Sequence, residues 1–183
     1  GDVLLSTINQ NIVDYVDGTN VNITEKMTRP LELTMKMRDA GIIGNVEMYS
    51  ASWYSAYAAD EYLFYEAGAW CPPLVIVPND PEGAGNWAVT MPPEGSFNLG
   101  GTTLSIYKDS KNKEAAWAYL QFIYFSEQGG SYMYDLTGNY SCYQPYYSSG
   151  YSPVEKEGPV DKFFGGQSLV KYYIEEAAPN AKT

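Results

Sequence analysis

The 183-residue chain contains no histidine, and this absence narrows its chemistry. Histidine is the commonest general base, the usual partner of a nucleophilic serine or cysteine, and the commonest metal ligand in proteins. Carboxylates, lysine or tyrosine could still support catalysis, but the composition argues against an enzyme. We expect no metal site and no cofactor.

Cysteine and long apolar runs are also scarce. Cys71 and Cys142 are the only cysteines, and without histidine two cysteines do not complete a zinc site. They are either free thiols or one disulfide, and the sequence leaves both alternatives open. No stretch reaches the roughly 18 consecutive apolar residues of a membrane-spanning helix. The opening residues lack the features of a signal peptide, so we expect a processed or truncated chain.

Basic residues are half as frequent as acidic ones. The chain has 11 lysines and arginines against 22 aspartates and glutamates, and its formal net charge is −11. Such an excess repels phosphate backbones and anionic lipid surfaces. The charge therefore argues against nucleic acid and peripheral membranes as partners.

Tyrosine is the residue type that stands out by its abundance. The chain has 18 tyrosines, and aromatic residues make up 15% of it. One interpretation is that tyrosine serves on the surface and in the core of a secreted protein. Another is a sugar-binding cleft, where rings stack on the C–H faces of pyranoses and hydroxyls add hydrogen bonds. Composition alone leaves both open.

Hydrophobic spacing predicts a chain of helices with a few strands between them. Asp17 to Asn20 is predicted as a turn, and Ser110 and Ser126 as helix N-caps. Trp117 is expected in the core. Helices are predicted over 4–16, from Thr24 to Gly41, over 51–59, 111–125, 126–134 and within 160–178. Strands are predicted over 61–65, 87–91 and 102–106.

Trp70 has the most informative position among the four tryptophans. It follows Gly68-Ala69 at the exit of the predicted strand 61–65. Ligands of open α/β sheets bind where strands end, so Trp70 is well placed to project into a cleft. Packing in a core is the equally open alternative.

Several motifs occur in a specific order along the chain. Ala67-Gly68-Ala69-Trp70 is followed by a proline-rich passage, then Gly100-Gly101 and a predicted strand, then the helix start from Ser110 to Trp117 and the cap from Ser126 to Gly129. This order resembles the C-terminal portion of extracellular solute-binding protein family 1, the sugar-binding proteins of bacterial ABC importers. The resemblance covers residues 20–175.

The resemblance implies an α/β (mixed α+β) fold, a fragment of the two-lobed periplasmic-binding-protein type II fold. Residues 1–98 and 139–183 would belong mainly to the C-terminal lobe, and residues 99–138 would pack with the N-terminal lobe. The implied protein is a monomeric extracytoplasmic lipoprotein or periplasmic protein. It would bind a mono- or oligosaccharide without chemistry and dock on the membrane permease subunits of the importer.

The resemblance also implies which residues touch the ligand. Trp70 would be the stacking platform, and Gly101 would allow close backbone approach. Tyr140 and Tyr143 lie in the loop after Gly138, which usually contacts ligand, and Phe163 and Phe164 would be further cleft aromatics. Two alternatives stay open: a glycoside hydrolase with two carboxylates facing each other across an aromatic cleft, and a non-catalytic carbohydrate-binding surface module.

Overall fold

The computed structural model describes residues 16–181 together with residues 4, 6 and 8. Residues 4, 6 and 8 are helical, and the rest of the helix predicted over 4–16 lies outside the described residues except for Val16, which is in a strand. The chain divides into two compact units. Unit 1 takes the described residues up to Gly68, residues 90–100 and the described residues from Glu175, whereas unit 2 takes residues 69–89 and 101–174.

A short hairpin, with two residues in each strand, is the first part of unit 1 that is described without gaps. Strands β1 (Val16–Asp17) and β2 (Asn20–Val21) pair antiparallel, with Val16 opposite Val21. Gly18 lies between them at φ 57°, a left-handed conformation that glycine adopts without penalty. The turn predicted from Asp17 to Asn20 is thus confirmed.

The longest helix, α1 (Ile23–Asp39), follows the hairpin. It continues through Pro30, which is buried, and ends before Gly41 at φ 70°. The predicted stop is confirmed, but the N-cap is Asn22 rather than Thr24.

An aromatic cluster forms the core of unit 1. Helix α2 (Ala51–Ala56) is capped by Ser50, whose hydroxyl accepts a hydrogen bond from the Trp53 backbone at 3.2 Å. Trp53 and Tyr57 are buried, and the Tyr57 ring stacks on that of Tyr65 with centroids 4.2 Å apart. The Tyr65 hydroxyl donates to the carbonyl of Ala56 at 2.8 Å and so ties residues 61–65 to the end of α2.

The strands predicted at 61–65, 87–91 and 102–106 are not formed. A strand needs a neighbour to bond its backbone groups, and within the described residues only β1 and β2 form a sheet. At Val89 a side chain takes the neighbour's place: the Gln167 amide accepts from its N–H at 2.8 Å and donates to its carbonyl at 2.7 Å. The described chain is mostly helical with little strand. Of the predicted mixed α/β fold, the described residues therefore have the helices but only one short pair of strands.

Unit 2 is built from helices joined by ordered loops. A π-helical turn (Pro72–Ile76) continues into α3 (Val77–Asn79). Helices α4 (Lys113–Phe125) and α5 (Glu127–Thr137) follow, then a 3₁₀ turn (Gln144–Ser148), α6 (Leu169–Lys171) and a second π-helical turn (Tyr172–Ala177), which runs on into unit 1.

The junction of α4 and α5 follows local capping chemistry. The Ser126 hydroxyl accepts from the Gly129 backbone at 3.0 Å and donates to the Phe122 carbonyl at 2.6 Å. Gly138 ends α5 at φ 70°, and its N–H donates to the Tyr134 carbonyl at 2.8 Å. The predicted cap and stop are both confirmed.

Two expectations for α4 are wrong. The helix starts at Lys113 with Asn112 as N-cap, not Ser110. Trp117 is 51% exposed rather than in the core. Trp117 lies outside the inward face of α4. That face is formed by four half-buried residues: Ala116, Leu120, Ile123 and Tyr124.

The core of unit 2 collects apolar residues from five of its segments. They are Cys71, Val75, Ile76, Tyr134, Tyr146, Phe164, Leu169 and Val170. Cys71 is buried and Cys142 is exposed, and both are free thiols. The sequence left open whether the two cysteines are free thiols or form a disulfide, and in the structure they are free thiols.

Candidate functional site

Trp70 lies directly before the first helical segment of unit 2. Its carbonyl accepts a hydrogen bond from the Leu74 backbone at 3.2 Å, which places it at the first turn of that segment. Its side chain is half-buried. The sequence placed Trp70 at the end of a strand, whereas here an irregular segment leads into a helical turn.

Tyr140 belongs to a group of contacting tyrosine rings. Its ring centroid lies 5.0 Å from that of Tyr173 and 5.8 Å from that of Tyr134. Burial, with smaller contributions from Tyr173, Tyr134 and Asp161, raises the pKa of Tyr140 far above its ordinary value. The phenol therefore stays neutral and can both donate and accept hydrogen bonds.

The tyrosine group contains residues that sequence reasoning missed. Tyr134 on α5 and Tyr173 near the chain's end pack on Tyr140, and desolvation also raises the pKa of each phenol. Tyr147 donates its hydroxyl to the Ser141 carbonyl at 2.8 Å. The density of tyrosine in residues 139–152 pointed to this loop, but Tyr173 comes from a segment distant in sequence, for which no local signal exists.

Tyr143 and Gly101 occupy opposite environments. Tyr143 is half-buried, and its backbone N–H donates to the Ser141 hydroxyl at 3.1 Å. Gly101 is exposed, and no atom lies within 4 Å of the position that a Cβ would take there. No other described part of the chain therefore packs closely against Gly101.

Phe163 and Phe164 contact each other but differ in accessibility. Their ring centroids are 5.6 Å apart. Phe164 is 2% exposed and serves as a core residue, whereas Phe163 is half-buried. The Phe163 carbonyl accepts from the Gly85 backbone at 2.8 Å, which anchors this turn.

A buried carboxylate holds the turn that carries these phenylalanines. Asp161 is 3% exposed and accepts hydrogen bonds from the backbones of Gly158 at 2.7 Å and Leu169 at 3.2 Å. Gln167 ties the same turn to Val89. The turn that carries Phe163 and Phe164 is therefore held by hydrogen bonds of Asp161 and Gln167.

The described residues show neither a metal centre nor a membrane span. They contain no group of three or more cysteine, aspartate or glutamate side chains placed to hold a metal ion. No described helix has the length and apolar character needed to cross a bilayer.

Comparison with known proteins identifies the family. The family of bacterial extracellular solute-binding proteins matches residues 5–130, which is more than half of the chain. The match includes Trp70 and Gly101, whereas Tyr140, Tyr143, Phe163 and Phe164 lie beyond it. Neither a curated protein nor a solved structure matches the chain. The chain belongs to the family of bacterial extracellular solute-binding proteins.

Proposed function

We propose that the protein captures a mono- or oligosaccharide outside the cytoplasm and delivers it to the permease subunits of an ABC importer. Membership of the solute-binding family supports capture for transport and an extracytoplasmic location. The observation that carries the choice of carbohydrate is the group of neutral tyrosine rings around Tyr140, in the same unit as half-buried Trp70.

The proposed recognition is aromatic stacking combined with hydrogen bonding. Trp70 presents an indole to the apolar C–H face of a pyranose, and Tyr140, Tyr143 and Phe163 supply phenols and a further ring. Gly101 leaves room for a ligand against the backbone, because nothing lies within 4 Å of its missing side chain. Phe164 acts from the core as support for Phe163.

The proposed mechanism is closure of two lobes around the sugar, followed by docking on the permease. In this proposal residues 1–98 and 139–183 belong mainly to the C-terminal lobe, and residues 99–138 pack with the N-terminal lobe of a two-lobed, monomeric protein. Proteins of this family are generally non-enzymatic, and the proposal contains no covalent step. Anchoring as a lipoprotein and release into a periplasm are both compatible with it.

Tryptophan fluorescence tests the proposal. The protein is titrated with a panel of neutral mono- and oligosaccharides, beside a Trp70→Ala variant. Because a stacked ring contributes roughly 1.4 kcal/mol, we expect Trp70→Ala to weaken binding about tenfold or more.

Trp117→Ala is the matched control, since Trp117 is half-exposed on α4 and is not assigned to the site. It should leave the affinity unchanged. Absence of any response across the panel, or equal affinity of Trp70→Ala and the original protein, would contradict the proposal.

A further inference from the structure

The outer face of α5 lines a cavity in unit 2 that is separate from the residues assigned above. Four residues on three successive turns of α5 form one side of it: Gln128, Ser131, Tyr132 and Asp135. Tyr151, from the loop after the 3₁₀ turn, closes the other side. The cavity holds about 410 Å³, which is within the range of small-molecule sites.

The polar groups of this cavity are already oriented by hydrogen bonds. The Gln128 amide donates to the Tyr151 hydroxyl at 2.9 Å, which links the loop to α5. The Ser131 hydroxyl donates to one carboxylate oxygen of Asp135 at 3.2 Å. Since a carboxylate has about four acceptor positions, Asp135 retains acceptor capacity for ligand hydroxyls.

A buried tyrosine supports the floor of the cavity. Tyr146 is 1% exposed, and its phenol lies close to the Ser131 side chain. Burial and the nearby Asp135 carboxylate raise the pKa of Tyr146 to about 12, so its phenol stays protonated. Ser131 thus has a core residue beside it, and Asp135 is oriented by the hydrogen bond from Ser131.

Aromatic rings flank the polar floor. Tyr132 is 58% exposed and Tyr151 41% exposed, so both rings remain open to a ligand. The centroid of the Tyr132 ring lies 6.1 Å from the centroid of the Phe122 ring on α4, so one side of the Tyr132 ring is in contact with α4. The lining residues include no lysine or arginine, so nothing in the cavity attracts an anion. Rings beside an amide, a hydroxyl and one carboxylate suit a neutral polyol.

We propose that this cavity, the α5 groove, is a second saccharide-binding site that takes a neutral pyranose unit. The ring of Tyr132 or Tyr151 packs on the sugar's C–H face, Asp135 accepts hydrogen bonds from two of its hydroxyls, and Gln128 contributes its amide. The choice of ligand class rests on the proposed function, whereas the site itself shares no residue with the group around Trp70 and Tyr140.

Calorimetric titration of the protein with maltotriose, cellotriose and xylotriose tests the α5 groove. At least one of these probes should bind in two steps. Tyr132→Ala should weaken one step about tenfold and leave the other unchanged, and Asp135→Asn should weaken the same step. Tyr119→Ala is the matched control, because Tyr119 is 64% exposed on α4 and does not line the groove.

The outcomes separate this proposal from the proposed function. A single binding step that Trp70→Ala removes and Tyr132→Ala leaves intact overturns the second site and retains the first. Two steps, of which Tyr132→Ala weakens one and Trp70→Ala weakens neither, contradict the role of Trp70 and retain the α5 groove. If glucosamine binds more tightly than glucose and Asp135→Asn abolishes this preference, the groove is a cation site. That result overturns the neutral-sugar assignment. Absence of binding by all three trisaccharides overturns the groove as a saccharide site.

Discussion

Burial decides the ionisation of several phenol groups in both units, and two of them, Tyr65 and Tyr147, also donate a hydrogen bond to a backbone carbonyl. Desolvation is the largest cause of the raised pKa at Tyr65, Tyr134, Tyr140, Tyr147 and Tyr173. Neutral phenols give a ligand site donors and acceptors that do not change between acidic and mildly alkaline surroundings. Saccharide affinity should accordingly be flat with pH across the neutral range.

Alkaline pH should destabilise the fold through these tyrosines. The pKa of Tyr65 rises from 10.0 to about 12 on folding, so between these values the unfolded chain loses a proton that the folded chain keeps. Stability is therefore fully present below pH 10 and falls as pH rises towards 12. Urea midpoints measured at pH 8, 10 and 11 should decrease in that order. The decrease should be smaller in Tyr65→Phe, and a constant midpoint would contradict the assignment.

Asp161 should be the polar residue whose loss costs unit 2 most. Its buried carboxylate accepts two backbone N–H groups, and Asp161→Asn turns an amide donor towards one of them. We expect a loss of about 1.5–3 kcal/mol in the free energy of unfolding, measured by urea denaturation. Asp109→Asn, at an exposed turn position, is the control and should change it by less than about 0.5 kcal/mol. Equal effects of the two variants would refute the buried-anchor role.

At the scale of elements, Gly129 permits the close approach of α5 to the end of α4. A Cβ at this position would collide with the Phe122 carbonyl, which is backbone and cannot rotate away. Gly129→Ala should therefore lower stability by about 1–3 kcal/mol in a thermal or urea melt. Gly150→Ala, where nothing lies within 4 Å of the added carbon, is the matched control. A melt of Gly129→Ala that matches the control would show that the junction can relax.

Elements whose chemistry is local could be predicted from the sequence, and those that need a distant partner could not. Ser126 and Gly138 act on backbone groups within four residues, so the cap and the stop of α5 were predictable. The strand formers at 61–65 and 102–106 were recognised, but a strand forms only with a neighbour. Val89 instead pairs with the side chain of Gln167, 78 positions along the chain.

The candidate site likewise contains features that the sequence predicts and features that depend on distant parts of the chain. Trp70 and the tyrosine-rich loop are visible in the sequence because of their motifs and density. The contact of Tyr140 with Tyr173 and the burial of Phe164 depend on the folding of unit 2, and so does the exposure of Trp117. Sequence patterns indicated the segments that carry the site but not which rings remain accessible.

At the scale of the whole molecule, lobe closure is the property that separates solute capture from a surface module. Closure around a bound sugar should reduce the radius of gyration. Small-angle scattering with and without the saccharide that binds best is the measurement, and the Trp70→Ala variant under the same conditions is the control. Binding without any change in the scattering curve would favour a carbohydrate-binding surface module.

The unequal exposure of the two thiols has a practical consequence for spectroscopy. Cys142 is exposed beside Tyr143, whereas Cys71 is 0% exposed in the core of unit 2. A thiol-reactive dye should therefore attach at one position in the native protein and at two after unfolding, which mass spectrometry can count. The native chain thus carries a single labelling point next to a proposed ligand contact, so an environment-sensitive fluorophore could report solute binding without any engineered cysteine.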